Sequence, residues 1–336
     1  MTPNHHHDLP GLEVSDLTVA YPRSASSVLR NADLRLKPGE VAGLTGPSGV
    51  GKTSLLHAVA GLVPWLTPAS VTGEIRIAGE PVGELDPGQR AHLLSTCLDR
   101  PEAQLFLATV GQEIEAARRL YRGGEFVDEA VEGLALGALL NRRVTELSSG
   151  ERQRVALAVA LAGCPRPILL DEPTAHLDAA GETVLVDLLK RAGDRGASIA
   201  VTEQAGWRLD GAVTKWVEIK DGRLASTSKP CVPGVPGPEH APDAEVAMGC
   251  RAVSVSRGGR TLVESIDLDL HRGEVALLSG PNGSGKSTLA GVLAGLRAPD
   301  RGRLMRSGRT ALMLPEAELQ LFASTVAGEV ARAGTG

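Results

Sequence analysis

Two lysines close glycine-rich runs of a kind that can hold phosphate. The runs are Gly46-Pro47-Ser48-Gly49-Val50-Gly51-Lys52-Thr53-Ser54 and Gly280-Pro281-Asn282-Gly283-Ser284-Gly285-Lys286-Ser287-Thr288. Both satisfy GxxxxGK[ST]. Glycine lets the backbone wrap close to phosphate oxygens, while successive N–H groups and a helix N-terminus supply partial positive charge. Lys52 then reaches the β- and γ-phosphates of a nucleotide and Thr53 ligates Mg²⁺, with Lys286 and Ser287 reading identically in the second run. A second element of chemistry is Asp171-Glu172, two carboxylates at the end of the apolar run 167–170. Asp171 would hold Mg²⁺ through water, and Glu172 would polarise an attacking water. A third is Leu147-Ser148-Ser149-Gly150-Glu151, whose Ser and Gly residues sit where a helix N-terminus bares its N–H groups.

These groups need elements to position them. Each glycine run follows the same lead-in: an alternating strand (12–20; 251–256), a second strand ending in a Gly-Glu turn (Gly39-Glu40; Gly273-Glu274), then an apolar strand feeding the loop. A repeat of this length predicts two related domains. In the first, strands are expected before Gly46 and at 168–171 and 199–202. Helices are expected after Lys52, around 127–140, after Ser149 and at 182–192. Strand and helix alternation predicts an α/β layer with a mostly parallel core sheet. Pro230, Pro233, Pro236, Pro238 and Pro242, mixed with glycine, mark a linker over 226–245. The expected organisation is a complete domain at 12–225 and the front part of a second at 246–336.

Composition narrows the classes. The chain has 336 residues, 42% hydrophobic and 22% charged, enough to bury real cores. A formal charge of −5 gives no footprint for a phosphate backbone, so no nucleic acid is expected as partner. The longest nearly unbroken apolar stretch, 155–164, is half a bilayer crossing. Cys97, Cys164, Cys231 and Cys250 form no CxxC cluster and read as reduced packing residues; His5–His7 reads as a surface run.

The order of Walker A, LSSGE, Walker B and Asp178 resembles the ATPase subunits of ATP-binding cassette (ABC) transporters. The resemblance covers essentially all of 12–225 and the front of the second copy. It implies a P-loop NTPase core with antiparallel β and helical subdomains, ATP and Mg²⁺ as ligands, and no membrane span. It also implies a head-to-tail pairing with a second ABC ATPase domain, in which Ser148, Ser149, Gly150 and Glu151 reach the γ-phosphate held by the partner's Walker A. Ser149 stands for the usual first glycine and Glu151 for the usual glutamine. Tyr21 matches the aromatic that stacks on adenine; its counterpart in the second copy is Arg257.

Two of the three phenylalanines occur as Gln104-Leu105-Phe106 and Gln320-Leu321-Phe322, each followed by a Thr-Val pair. These segments look like the stretch after the Q-loop in energy-coupling factor (ECF) transporters, which import vitamins and transition-metal ions. There it faces the transmembrane coupling subunit, which implies a chain on the cytoplasmic face of the membrane. The alternative is that each Phe anchors the core of its helical subdomain. Asp99 and Pro315 take the place of the Q-loop glutamine, which makes Asp99 a candidate metal ligand. Glu203 and Gln204 take the place of the switch histidine; Gln204 fits the spacing better and can donate an amide N–H to phosphate, whereas ionised Glu203 would repel it. After Phe322 no second signature, Walker B pair or switch residue follows, so the second cassette reads as truncated. The function implied is ATP hydrolysis, with Lys52, Glu172 and Gln204 as catalytic groups, coupled to import through separate membrane subunits. Two alternatives are a soluble tandem cassette protein acting on ribosomes, disfavoured by the Pro/Gly linker and the net charge, and a nucleotide-binding regulator with little hydrolysis.

Overall fold

A computed structural model describes residues 11–22, 24, 26–121, 125–204, 206–230, 245–257, 260–281, 283–313 and 320–333. The chain separates into two compact units, Met1–Gly234 and Val235–Gly336.

In the first unit, strands β1 (Leu12–Ala20), β2 (Leu29–Leu36), β4 (Ser70–Ile77) and β5 (Glu80–Pro81) form an antiparallel sheet in the order β2-β1-β4-β5. A second sheet runs β10-β9-β3-β8-β7-β6, built from β3 (Val41–Thr45), β6 (Ser95–Cys97), β7 (Ile168–Asp171), β8 (Ile199–Thr202), β9 (Lys215–Lys220) and β10 (Arg223–Thr227). Its ladders β3·β8, β3·β9, β7·β8 and β6·β7 are parallel; only β9·β10 is antiparallel. The helices are α1 (Lys52–Ala60), α2 (Leu62–Trp65), α3 (Pro87–Arg90), α4 (Val110–Tyr121), α5 (Glu125–Gly133), α6 (Ser149–Leu161) and α7 (Ala179–Asp194). This is the mixed α/β architecture of a P-loop NTPase with an added antiparallel β-sheet and a helical region.

The central strands are apolar throughout because both faces of the parallel sheet are covered. Period-two alternation divides them between two cores. Ile168 and Leu170 of β7, with Ile199 and Val201 of β8, join a core with Leu157, Leu161 and Leu188 of α6 and α7. Leu169 and Ala200 face the opposite core, with Leu55 and Leu56 of α1 and Leu12 and Leu17 of β1. Each fully buried leucine contributes about 1.5–3 kcal/mol. The sheet is thereby fixed, and with it the ends of its strands.

The second unit has an antiparallel sheet β12-β11-β13, from β11 (Val246–Arg257), β12 (Arg260–His271) and β13 (Arg301–Arg306), with α8 (Lys286–Leu293) and α9 (Val326–Ala333). Its core is small: Cys250, Val253, Val255, Val263, Leu289, Val292 and Leu293.

Three expectations are corrected. The apolar run 275–279 forms no strand; Val275 is 84% and Leu277 91% exposed. Its counterpart β3 is hydrogen-bonded on both sides, by β8 and β9, and neither partner has a counterpart among the described residues of the second unit. An extended segment without partners leaves its backbone groups to water. The helix expected at 127–140 ends at Gly133, because Ala135 takes a left-handed φ of 52° and a short 3₁₀ turn, Gly137–Leu139, follows. Strand β10 continues to Thr227, two residues into the expected linker. The rest of that linker from residue 231 to 244 lies outside the described residues, as do Asn282, Pro315, Cys231 and His5–His7, and nothing is described of the Arg257 side chain.

Candidate active site

Strand β3 delivers the first glycine run. Gly46, Gly49 and Gly51 take φ values of 140°, 79° and 114°, which glycine adopts freely and other residues do not. At Gly46 a Cβ would stand 2.7 Å from the Ile219 carbonyl oxygen, so the turn is closed to any side chain. Gly51 caps α1 without a side-chain bond, leaving the first-turn N–H groups to the loop. Lys52, only 6% exposed, lies over the loop and donates Nζ–H to the carbonyls of Gly46 (2.7 Å) and Pro47 (3.1 Å). Pro47, Ser48 and Val50 complete the loop, and Val50 N donates to Pro47 O. Thr53 and Ser54 follow in α1, and Tyr21 Oη donates to Ser54 Oγ (3.1 Å), which ties the aromatic ring to the flank of the loop.

The adjoining strands bring the carboxylates. Asp171, 1% exposed at the end of β7, accepts a short hydrogen bond from Thr202 Oγ1 on β8 through Oδ1. Its Oδ2 is buried without a partner. A buried carboxylate oxygen lacking a donor is costly unless a cation meets it. That hard oxygen is of the kind Mg²⁺ takes, as is the hydroxyl of Thr53. Glu172 adopts a left-handed φ of 45°, held there by its N–H on Thr202 O (3.2 Å) and Oγ1 (3.0 Å). A non-glycine residue in that region costs about 1 kcal/mol or more, here spent on aiming a side chain. Gln204 Nε2 donates to Glu172 Oε1 at 2.8 Å. Glu203 instead turns inward at 5% exposure, accepts from Thr174 Oγ1, and receives Gln204 N–H at 2.9 Å. The adjacent pair Glu203 and Gln204 is thus divided between core and site.

Ser148 caps α6. Its Oγ accepts from Glu151 N (3.3 Å), while Glu151 Oε2 accepts from Ser148 N (2.7 Å) and Oγ (2.9 Å), a reciprocal capping box closed by Arg142 Nη1 on Glu151 Oε1 (2.9 Å). Burial pushes the Glu151 carboxyl up, but the Ser148 bonds with Arg142 and Arg154 outweigh it and hold the group below the ordinary carboxylate range. Ser149 and Gly150 form the first helical positions. Among the described residues no hydrogen bond joins these four to Lys52 or Asp171. Buried Gln153 on the same helix donates to Pro173 O (3.1 Å), linking α6 to the segment after Glu172.

The segment after β6 is held by Gln104, named in the sequence only as part of the repeated QLF, and by Glu113, which no motif marks. Gln104 accepts from Leu98 N (3.2 Å) and donates to Leu98 O (3.3 Å) and Arg100 O (3.4 Å), bracketing exposed Asp99. Glu113, 6% exposed, accepts from Leu107 N. Leu105 is buried, and Phe106, between these anchors, stands 82% exposed. The core-anchor alternative for Phe106 is overturned, because its neighbours are tied inward and it is not. Beside it an open groove of about 790 Å³ is lined by Leu107, Thr109, Gln112, Glu115, Leu140 and Asn141. Glu113 could have been found from the repeat: Glu329 stands at the same spacing after Phe322 and accepts from Phe322 N (2.9 Å) and Ala323 N (2.6 Å). Phe322 is also exposed, at 71%.

The second glycine run repeats the first locally. Gly280, Gly283 and Gly285 have φ of 150°, 78° and 91°, and Lys286 Nζ donates to Gly280 O (2.7 Å) and Pro281 O (2.8 Å). Ser284 and Ser287 are exposed, and Thr288 is half-buried.

The profile of the family described as "ABC transporter" matches residues 29–175 and 263–327. Relatives named as ABC transporter ATP-binding proteins include one from Streptomyces avermitilis, 28% identical over 95% of this chain and 73% of its own length. Another, from Sulfurisphaera tokodaii, is 31% identical over 85% of this chain and 64% of its own length. A third, from Mycobacterium tuberculosis and named as uncharacterized, is 30% identical over 93% of this chain, which spans only 45% of it. Among solved structures, a dimeric bacterial ABC transporter cassette is 25% identical with a TM-score of 0.56, covering 65% of this chain and 98% of its own. The structure of cbiO1 from Clostridium perfringens, described as part of the ABC transporter complex cbiONQ, is 25% identical with a TM-score of 0.53, covering 65% of this chain and 88% of its own.

Proposed function

Because this chain belongs to the ABC transporter ATP-binding family, whose domains generally hydrolyse ATP, we propose that its first unit is the ATPase that energises an ECF-type importer of a vitamin or transition-metal ion. The observation that carries the catalytic part is the convergence of the Lys52 loop, Asp171, Glu172 and Gln204 at the ends of the adjacent parallel strands β3, β8 and β7.

In this reading the loop N–H groups and the Lys52 ammonium bind the β- and γ-phosphates of ATP, and Tyr21 packs on the adenine. Thr53 and Asp171 would hold Mg²⁺, which would supply charge neutralisation at the phosphates. Glu172 accepts the proton of the attacking water, and the Gln204 amide keeps that carboxylate in place. Ser148, Ser149, Gly150 and Glu151 of a facing ABC domain complete the site from the other side. The second glycine run, Gly280 to Thr288, with Lys286 and Ser287, would bind a second nucleotide.

ABC ATP-binding subunits work with transmembrane subunits, and among the described residues no helix is long and apolar enough to cross a membrane. Exposed Phe106 on a doubly anchored loop, beside an open groove, suits docking to a membrane coupling subunit. Work within a transporter complex is supported further by the likeness to cbiO1, described as part of one.

The test is steady-state ATP hydrolysis by the full chain. Glu172→Gln should lower turnover by roughly 10²–10⁴-fold, since the amide keeps the shape but takes no proton, while ATP binding is retained. Wild-type specific activity should rise with protein concentration as facing domains pair. Full activity in Glu172→Gln, or activity independent of dilution, would remove the assignment of base and composite site.

A further inference from the structure

His57 has no part in the reading above, yet it faces the same carboxylates. It lies in α1, five residues beyond Lys52, and its Nε2 is buried without a hydrogen-bond partner. Ligand atoms of His57, Asp99 and Asp171 all lie within 4.8 Å of one another. The second orphan of the group is Asp171 Oδ2, on a side chain 1% exposed. Two buried polar atoms without partners, on side chains whose ligand atoms lie this close, are each costly alone. With its proton on Nδ1, the imidazole offers Nε2 only as an acceptor, and a carboxylate oxygen also only accepts, so in that tautomer neither serves the other. A cation between them meets both. We propose that His57, Asp99 and Asp171 form a site for a divalent transition metal such as Zn²⁺, Co²⁺ or Ni²⁺, one that shares Asp171 with the Mg²⁺ accompanying ATP and therefore competes with it.

The donor set decides the metal class. Mg²⁺ requires near-octahedral oxygen ligands and keeps several waters, so an imidazole adds little for it. Imidazole with carboxylates suits Zn²⁺, Co²⁺ and Ni²⁺, which accept three protein ligands and leave a position for water. Two carboxylates and a neutral imidazole balance a divalent charge. The Asp99 backbone is pinned by Gln104 on both sides, at Leu98 and Arg100, so its carboxylate is presented from a fixed turn. Thr202 Oγ1 on Asp171 Oδ1 orients the other carboxylate, as second-sphere donors do in metal sites. The metal would take the Asp171 oxygen that Mg·ATP uses, so the two should exclude one another.

The probe is Co²⁺ alone, without nucleotide, titrated into the full chain carrying His5→Gln, His6→Gln and His7→Gln so that the N-terminal run does not contribute. Calorimetry and the visible absorption of bound Co²⁺ should report one ion per chain. His57→Asn should weaken binding by about a hundredfold or more, and Asp99→Asn, on an exposed side chain that cannot unfold the domain, by at least about tenfold. Thr53→Ala should leave Co²⁺ binding intact while weakening Mg·ATP, which separates this site from failure of the nucleotide reading. Absent binding, binding indifferent to both His57→Asn and Asp99→Asn, or displacement of Co²⁺ by equimolar Mg²⁺ would each overturn the proposal.

Discussion

The two glycine loops are nearly the same object in different surroundings. In both, three glycines take positive φ in the same order and a lysine folds onto the first two carbonyls. Yet Lys52 is buried and Lys286 is half-buried, and the strand feeding the first loop lies between β8 and β9 while 275–279 pairs with nothing described. The difference teaches that loop conformation is written locally, by glycine and the following helix. The low-dielectric setting that makes its charges effective is assembled from residues more than a hundred positions away.

The sharpest way to break that comparison is to remove each lysine in turn. A charged hydrogen bond inside a buried site is worth about 1.5–3 kcal/mol, so Lys52→Ala should cost roughly tenfold to a hundredfold in Mg·ATP affinity. Lys286→Ala, acting in higher dielectric and without an Asp171 counterpart, should cost less than about 1 kcal/mol. Calorimetric titration of the two variants measures both; an equal or larger loss from Lys286→Ala would erase the distinction.

The same contrast explains what could be read beforehand. Strands 12–20, 168–171 and 199–202 fall where alternation or unbroken apolar runs put them, because those patterns are set by the faces the sheet must bury. The strand before Gly280 does not form, since hydrophobicity names a strand candidate but hydrogen-bonded neighbours make it one. Adjacent Glu203 and Gln204 are distinguishable in the sequence by spacing and charge alone; burial of one and the bond of the other to Glu172 come from tertiary structure. Gln104 is legible only as part of the repeated QLF and Glu113 in no motif at all, because each serves backbone groups, and a side chain that holds a turn leaves no motif of its own.

The exposed phenylalanines offer a second comparison, with a smaller expected effect. Phe106→Ala should leave folding within about 0.5 kcal/mol of wild type, because little of the ring is buried. Association with a membrane coupling subunit should weaken by about 2 kcal/mol, the usual cost of truncating a central aromatic anchor. Denaturant unfolding and a binding assay on reconstituted subunits check the two halves. A stability loss of about 3–5 kcal/mol would make Phe106 a core residue after all.

The smallest effect concerns Glu151, whose capping box belongs to the first unit. Its carboxyl lies below the ordinary range when folded, so the ionised form is favoured by the native state. The associated stability is therefore present above the unfolded-state value and is lost as pH falls through the folded one. In Glu151→Gln the amide oxygen can still accept from Ser148 N, but the pairing with Arg142 and the favourable charge at the N-terminus of α6 disappear. Each is a partly exposed interaction worth a few tenths of a kcal/mol, so the variant should be less stable by about 0.5–1 kcal/mol at neutral pH. Below the carboxylate range wild type and variant should converge, since a protonated Glu151 is then as neutral as glutamine. Urea unfolding at neutral and acidic pH, followed by Trp fluorescence, reads that convergence. A deficit that persists unchanged in acid would assign the role of Glu151 to packing and hydrogen-bond geometry, and the charge at the head of α6 would carry none of it.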